Sequence, residues 1–200
     1  MKLPRCFCRS EFWPWATRRA VPWLFLLPIH AFVASQELVV ESPNKVKAAF
    51  LRNFAHYVTW PGGVFPDSHA PWHLCVVGQD PFGDTLENTV KGRVEQGHPF
   101  EVHSARSINM LPVCHIVFVA IGNPQVRRDI LIELKNKPVL TVGDAPDFLR
   151  EGGIIRFQVD ERVRISINLD QARTASLTIP TRILEISQEI FEHGEVRKMH

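Results

Sequence analysis

Four cysteines, nine histidines and one glycine-bracketed turn are the residues of this 200-residue chain with chemistry worth locating first. Cys75 and Cys114 each sit inside an apolar run, HLCVVG and CHIVFVA, while Cys6 and Cys8 belong to the N-terminal segment. In an oxidising compartment the first two are free to form a disulfide; otherwise they are buried thiols acting as small hydrophobes. Their wide separation excludes C-x-x-C thiol chemistry. His69 and His73 are four residues apart, but Pro71 lies between them and no nearby acid or cysteine completes a zinc set, so no metal site is expected. Gly78-Gln79-Asp80-Pro81-Phe82-Gly83 stands where a strand hands over to a helix, the place where α/β proteins hold phosphates. Asp84-Thr85 follows instead of the lysine of a P-loop, and an acid beside a phosphate is repulsive, so the segment reads as a tight turn. Asp144 and Asp147 are paired in sequence, yet Asp144 precedes Ala145-Pro146 and suits a helix cap. No G-x-S-x-G elbow is present. With no base, nucleophile and oxyanion donors to assemble, the chain reads as a non-enzyme without a cofactor.

The charges narrow the class further. Lys and Arg number 23 against 21 Asp and Glu, a net charge of +2. Residues 1–35 carry five of those bases and one acid, so the remainder is slightly acidic, which excludes nucleic acid as the main partner. Arg18-Arg19, the apolar run Ala20 to Val33 and Ala34-Ser35 follow the order of a secretory leader, with cleavage expected near Ser35-Gln36. That run is 14 residues with two prolines, whereas a membrane span needs ~20. The expected layout is a leader over 1–35, a single domain over 36–192 and a loose tail over 193–200.

The elements that must position these residues follow from periodicity. Lys45 to Pro61 carries Val46, Ala49, Phe50, Asn53, Phe54, Tyr57 and Val58 at helical intervals, with Ser42 as N-cap, Pro43 in the first turn and Trp60-Pro61-Gly62-Gly63 as the stop. Strands are expected at 73–78, 100–104, 114–120 and 139–143, with helices at 80–90 and 124–136 and a helical turn at 145–150. The second of these helices should bury Val126, Ile130, Leu131 and Leu134. Ile154 to Val159 and Val163 to Leu169, joined by Asp160-Glu161-Arg162, read as an antiparallel hairpin, followed by short helices at 170–176 and 183–191. Strands alternating with helices imply an α/β fold: a mostly parallel sheet with helices on both faces, finished by the antiparallel C-terminal hairpin.

Four segments in order, AAFLRNFAHYVTWP, LCVVGQDPFG, VLTVGDAPDFLREGGIIRF and VRISINLDQARTASLTIPTRILEIS, resemble the YfiR family of small periplasmic proteins from about Lys45 to about Ile190. The resemblance implies an exported α/β protein that represses a membrane-bound diguanylate cyclase by binding its periplasmic sensor region, so lowering cyclic-di-GMP and biofilm formation. It further implies an outer-membrane sequestering protein as a second partner and allows a homodimer. It favours a Cys75–Cys114 bridge, since relatives carry paired cysteines at these strands. A second pair found in some members around the glycine-glycine segment has no counterpart in Leu149 to Asp160.

Two surfaces are candidates for contact. The hairpin is expected to supply an edge strand, with Arg162 and Arg164 exposed on it and Arg173 and Arg182 nearby, suited to an acidic patch on a partner. The alternative function, binding of a small periplasmic solute, would use the loops at the carboxyl ends of the parallel strands, through Gly78, Asp80, Phe82, Gly143, Asp144 and Phe148.

Overall fold

A strand covered on both faces reads as a continuous apolar run, and Trp72–Gly78, WHLCVVG, is one; it forms β1. The computed structural model describes residues 42–199, so the leader and its cleavage point lie outside the described residues. The chain runs α1 (Pro43–Tyr57), β1, α2 (Asp84–Val90), β2 (Val94–Glu95), β3 (His98–Ala105), β4 (Ile116–Ala120), α3 (Pro124–Leu134), β5 (Leu140–Gly143), β6 (Ile155–Val159), β7 (Val163–Asn168), α4 (Leu169–Thr174), α5 (Thr181–Glu185), β8 (Ser187–Glu192) and β9 (Glu195–Lys198). The described strands form one sheet of nine, in the order β2-β3-β1-β4-β5-β6-β7-β8-β9. Strands β3, β1, β4, β5 and β6 are mutually parallel, β6 pairs antiparallel with β7, β7 parallel with β8, and β8 antiparallel with β9. The expected α/β architecture, mostly parallel with an antiparallel hairpin, is what the chain adopts.

Alternation sends the core to both sides of the sheet. Trp72, Leu74, Val76, Ile116, Phe118, Leu140 and Val142 face α1 and α2, together with Phe157, Ile165 and Ile190. Cys75, Val77, Val117 and Val119 face the other way, against Ile130, Leu131 and Leu134 of α3 and against Phe148. Helix α3 starts as its sequence dictates: Pro124 occupies the first turn and the Asn123 side chain accepts from the amides of Gln125 and Val126. Its buried fourth residue is Arg127, whereas Val126, expected to point inward, is 45% exposed.

Other differences follow from contacts between distant parts of the chain. Helix α1 buries Lys47, Ala48, Leu51, Phe54 and Ala55, a face turned from the expected stripe, and Phe50 and Tyr57 flank the core instead. Lys47 is tolerated there because its ammonium meets Asp144 at 3.0 Å. Ser42 holds the N-cap position without a side-chain cap bond, and the helix ends where Thr59 pairs antiparallel with Thr178. The largest departure is at the C-terminus. Ile183 to Phe191 was expected as one helix, but only Thr181–Glu185 is helical; Ser187–Glu192 becomes a strand, and part of the expected loose tail, Glu195–Lys198, pairs with it as β9. The spacing of Ile183, Ser187 and Ile190 fits a helical face, while Ser187 and Ile190 also fit a bulged strand beside β7, and tertiary pairing decides.

Candidate functional site

The Cys75–Cys114 disulfide joins β1 to the residue two ahead of β4, with Cα atoms 6.1 Å apart. Both cysteines are buried on the α3 side of the sheet. Since β1 and β4 are hydrogen-bonded neighbours in parallel register, Leu74 against Ile116, the bridge fastens strands that already pair.

At the carboxyl ends of β1, β4 and β5 lies a cleft of about 680 Å³, lined by Asp80, Pro81, Phe118, Arg127, Asp144 and Asp147 among others. Of the residues expected there, Asp80 and Asp144 line it. Phe82 and Phe148 do not: both are core residues, Phe82 edge-on to Phe118 and Phe148 fully buried. The glycines answer to packing. Gly78 has φ +107° and a Cβ there would overlap the carbonyl of Ala120; a Cβ on Gly143 or Gly153 would overlap the Phe148 ring. The charges of the cleft are engaged within the chain. Asp80 accepts from the Phe82 amide at 2.7 Å and from Ser104 Oγ at 2.5 Å, which makes the turn its own ligand. Asp144 holds Lys47 rather than capping a helix. Arg127, which its place among apolar residues of α3 did not advertise, makes a buried two-pronged bond to Glu151 at 2.5 and 2.8 Å and donates to the Ile121 carbonyl.

The four arginines separate. Arg162 and Arg164 line a groove of about 580 Å³ with Phe50, Ile165, Ile186 and Met199. They do not lie on an edge strand, because β8 covers the flank of β7 that a terminal helix would have left open. Arg162 is exposed; Arg164 is half-buried, pairs with Asp160 at 3.4 Å and keeps its Nε buried without a hydrogen-bond partner. Arg173 is held by Asp170 and Glu192 within the chain, and Arg182 lies over the Tyr57 ring, 5.1 Å from its centre. The hydrogen bond from Arg173 holds the Glu192 carboxyl below the usual carboxylate range, and the amides of His193 and Gly194 do the same for Asp170.

The histidines form a group that the spacing of His69 and His73 does not reveal. His69 is exposed and apart, its amide bonded to Asp67. His73 instead meets residues of β3: parallel register places it opposite Glu101, and His103 opposite Cys75. Behind it His115 accepts the His73 amide on Nδ1, which forces the His115 proton onto Nε2, 3.4 Å from the Val64 carbonyl. Burial is the main cause lowering both pKa values from the ordinary 6.5, opposed at His115 by the Val64 bond; His103 lowers His73 further, and Glu101 raises it.

Compared with protein families, residues 44–188 match the one described as YfiR/HmsC-like. The chain belongs to the YfiR/HmsC-like family. No curated protein matches it. In this YfiR/HmsC-like chain the match covers α1 through the start of β8, including both cysteines and the cleft.

Proposed function

We propose that the protein is exported to the periplasm and acts there, without catalysis, as a repressor that binds the periplasmic sensor region of a membrane-bound diguanylate cyclase. The observation that carries this reading is the family match across residues 44–188. Two further features agree with it. Among the described residues no helix is long and apolar enough to cross a membrane, and the buried Cys75–Cys114 disulfide suits an oxidising compartment. An outer-membrane sequestering protein and a second copy of the chain belong to the same reading as further partners.

For the contact surface we favour the groove of Arg162 and Arg164. It joins an apolar floor, with Ile186 56% exposed, to the exposed guanidinium of Arg162 and the half-buried one of Arg164. Arg173 and Arg182 are already engaged and enter the surface only as its surroundings. The solute-binding alternative is less supported, because Asp80, Asp144 and Arg127 in the cleft are paired internally.

The test replaces two exposed groove residues, Arg162→Glu with Ile186→Glu, leaving Arg164 in its pair with Asp160. Deleting the gene should raise cellular cyclic-di-GMP, and the double variant should fail to lower it again while being exported and melting like the parent. Protein recovered from the periplasm should begin near Gln36. Unchanged cyclic-di-GMP on deletion would overturn the regulatory role; full complementation by the double variant would move the contact off this groove.

A further inference from the structure

Strand pairing brings three ligand atoms together on the face of the sheet that also carries Cys75. His73 and Glu101 are register partners on β1 and β3, and His103 follows Glu101 by two residues, so all three side chains leave the sheet on one side. His73 Nδ1 and His103 Nε2 are 2.9 Å apart, and Glu101 Oε2 lies 3.8 Å from the first and 3.6 Å from the second. Three atoms at those separations lie on a circle of radius about 2.0 Å, so a cation at its centre sits about 2.0 Å from each, the length of a zinc bond to imidazole or carboxylate. A shift slightly out of that plane would make the site tetrahedral, with its fourth position open to water. The side chains are partly exposed, 24% for His73, 31% for His103 and 56% for Glu101, which gives an ion an entry path.

We propose that His73, Glu101 and His103 form a binding site for a single imidazole-seeking divalent cation, zinc or copper. Two nitrogens and one carboxylate suit these ions and disfavour magnesium and calcium, which take mainly oxygen ligands. The clasp from His115 to the His73 amide fixes the backbone that presents one ligand. His115 is not itself a ligand, since its Nδ1 is occupied by that amide. Bound metal would tie β3 to β1 beside the disulfide. The site is independent of the regulatory reading above.

Untagged protein is titrated calorimetrically with zinc chloride, and separately with copper sulfate, in buffer containing magnesium chloride. One ion per chain should bind, and X-ray absorption of the zinc form should show a first shell of nitrogen and oxygen with imidazole back-scattering. His103→Ala should abolish the saturable heat and Glu101→Gln should weaken it, while His69→Ala leaves it unchanged. The melting temperature should rise with zinc in the parent and not in His103→Ala. Glu101→Gln, at an exposed position, keeps the test decisive should His103→Ala fold poorly. Zinc and copper heats that are absent, or that persist unaltered in the His103→Ala and Glu101→Gln proteins, overturn the site; copper binding without zinc restricts it to copper.

Discussion

Removing the Cys75–Cys114 bridge tests the structural reasoning most directly, because its effect can be worked out beforehand. The cross-link spans 39 residues, and on the chain-entropy model a loop of that size restricts the unfolded ensemble by about 4 kcal/mol. The bridge adds little to the native pairing, since β1 and β4 are already hydrogen-bonded in register, so its contribution lies in the unfolded state. Cys75→Ala with Cys114→Ala also deletes two buried sulfurs and adds a packing loss of the order of 1 kcal/mol. For a domain of this size each kcal/mol shifts the melting temperature by about 2–4 °C, so a fall of roughly 8–16 °C is expected from the cross-link alone. Calorimetry of oxidised parent, reduced parent and double variant separates the terms, with the reduced parent isolating the cross-link. Peptide mapping without reduction should recover the peptides of Cys75 and Cys114 joined. Identical melting of oxidised and reduced parent, or recovery of the two peptides unlinked, would refute the argument.

Two further outcomes follow. The lowered pKa values of His73 and His115 mean that the unfolded chain binds more protons near pH 6, so their contribution is complete above the ordinary value of 6.5 and is lost as pH falls below it towards the folded values. In chelator, melting should therefore drop between about pH 7.5 and about pH 5.5, where carboxylates stay ionised, and His115→Gln should flatten the slope; an equal slope in that variant would contradict the assignment. Gly153→Ala sets a methyl against the fully buried Phe148 ring and should cost about 1–3 kcal/mol or more by denaturant unfolding, whereas Gly62→Ala, with open space around it, should be near neutral.

The sequence spoke clearly where one residue's periodicity depends only on its neighbours. The apolar runs at 73–78 and 114–120 announced doubly covered strands, and Pro124 announced the start of α3. It spoke ambiguously where the outcome depends on distant partners. The pattern through Ile183, Ser187 and Ile190 satisfies both helical and strand periods over so short a span, and only a vacant flank on β7 resolves it; with that choice went the edge position expected for Arg162 and Arg164. The histidine cluster was hidden for the same reason. Glu101 and His103 follow His73 by 28 and 30 residues, and parallel register across β1 and β3, which no local spacing records, brings them to it. Arg127 was illegible because a buried arginine on an apolar face makes sense only once Glu151 is opposite it.

The disulfide also encloses a complete wing of the molecule. Between Cys75 and Cys114 the chain leaves β1, builds α2, β2 and β3, and returns to the neighbouring strand, so both strands beyond β1 on that flank of the sheet belong to one covalently closed circuit. A protease that cuts the exposed turn at Lys91-Gly92-Arg93 therefore divides the polypeptide without dividing the molecule. Both halves remain tethered beside the core they share, and a nick that would release a fragment from an open chain leaves here a single particle able to close again around its break.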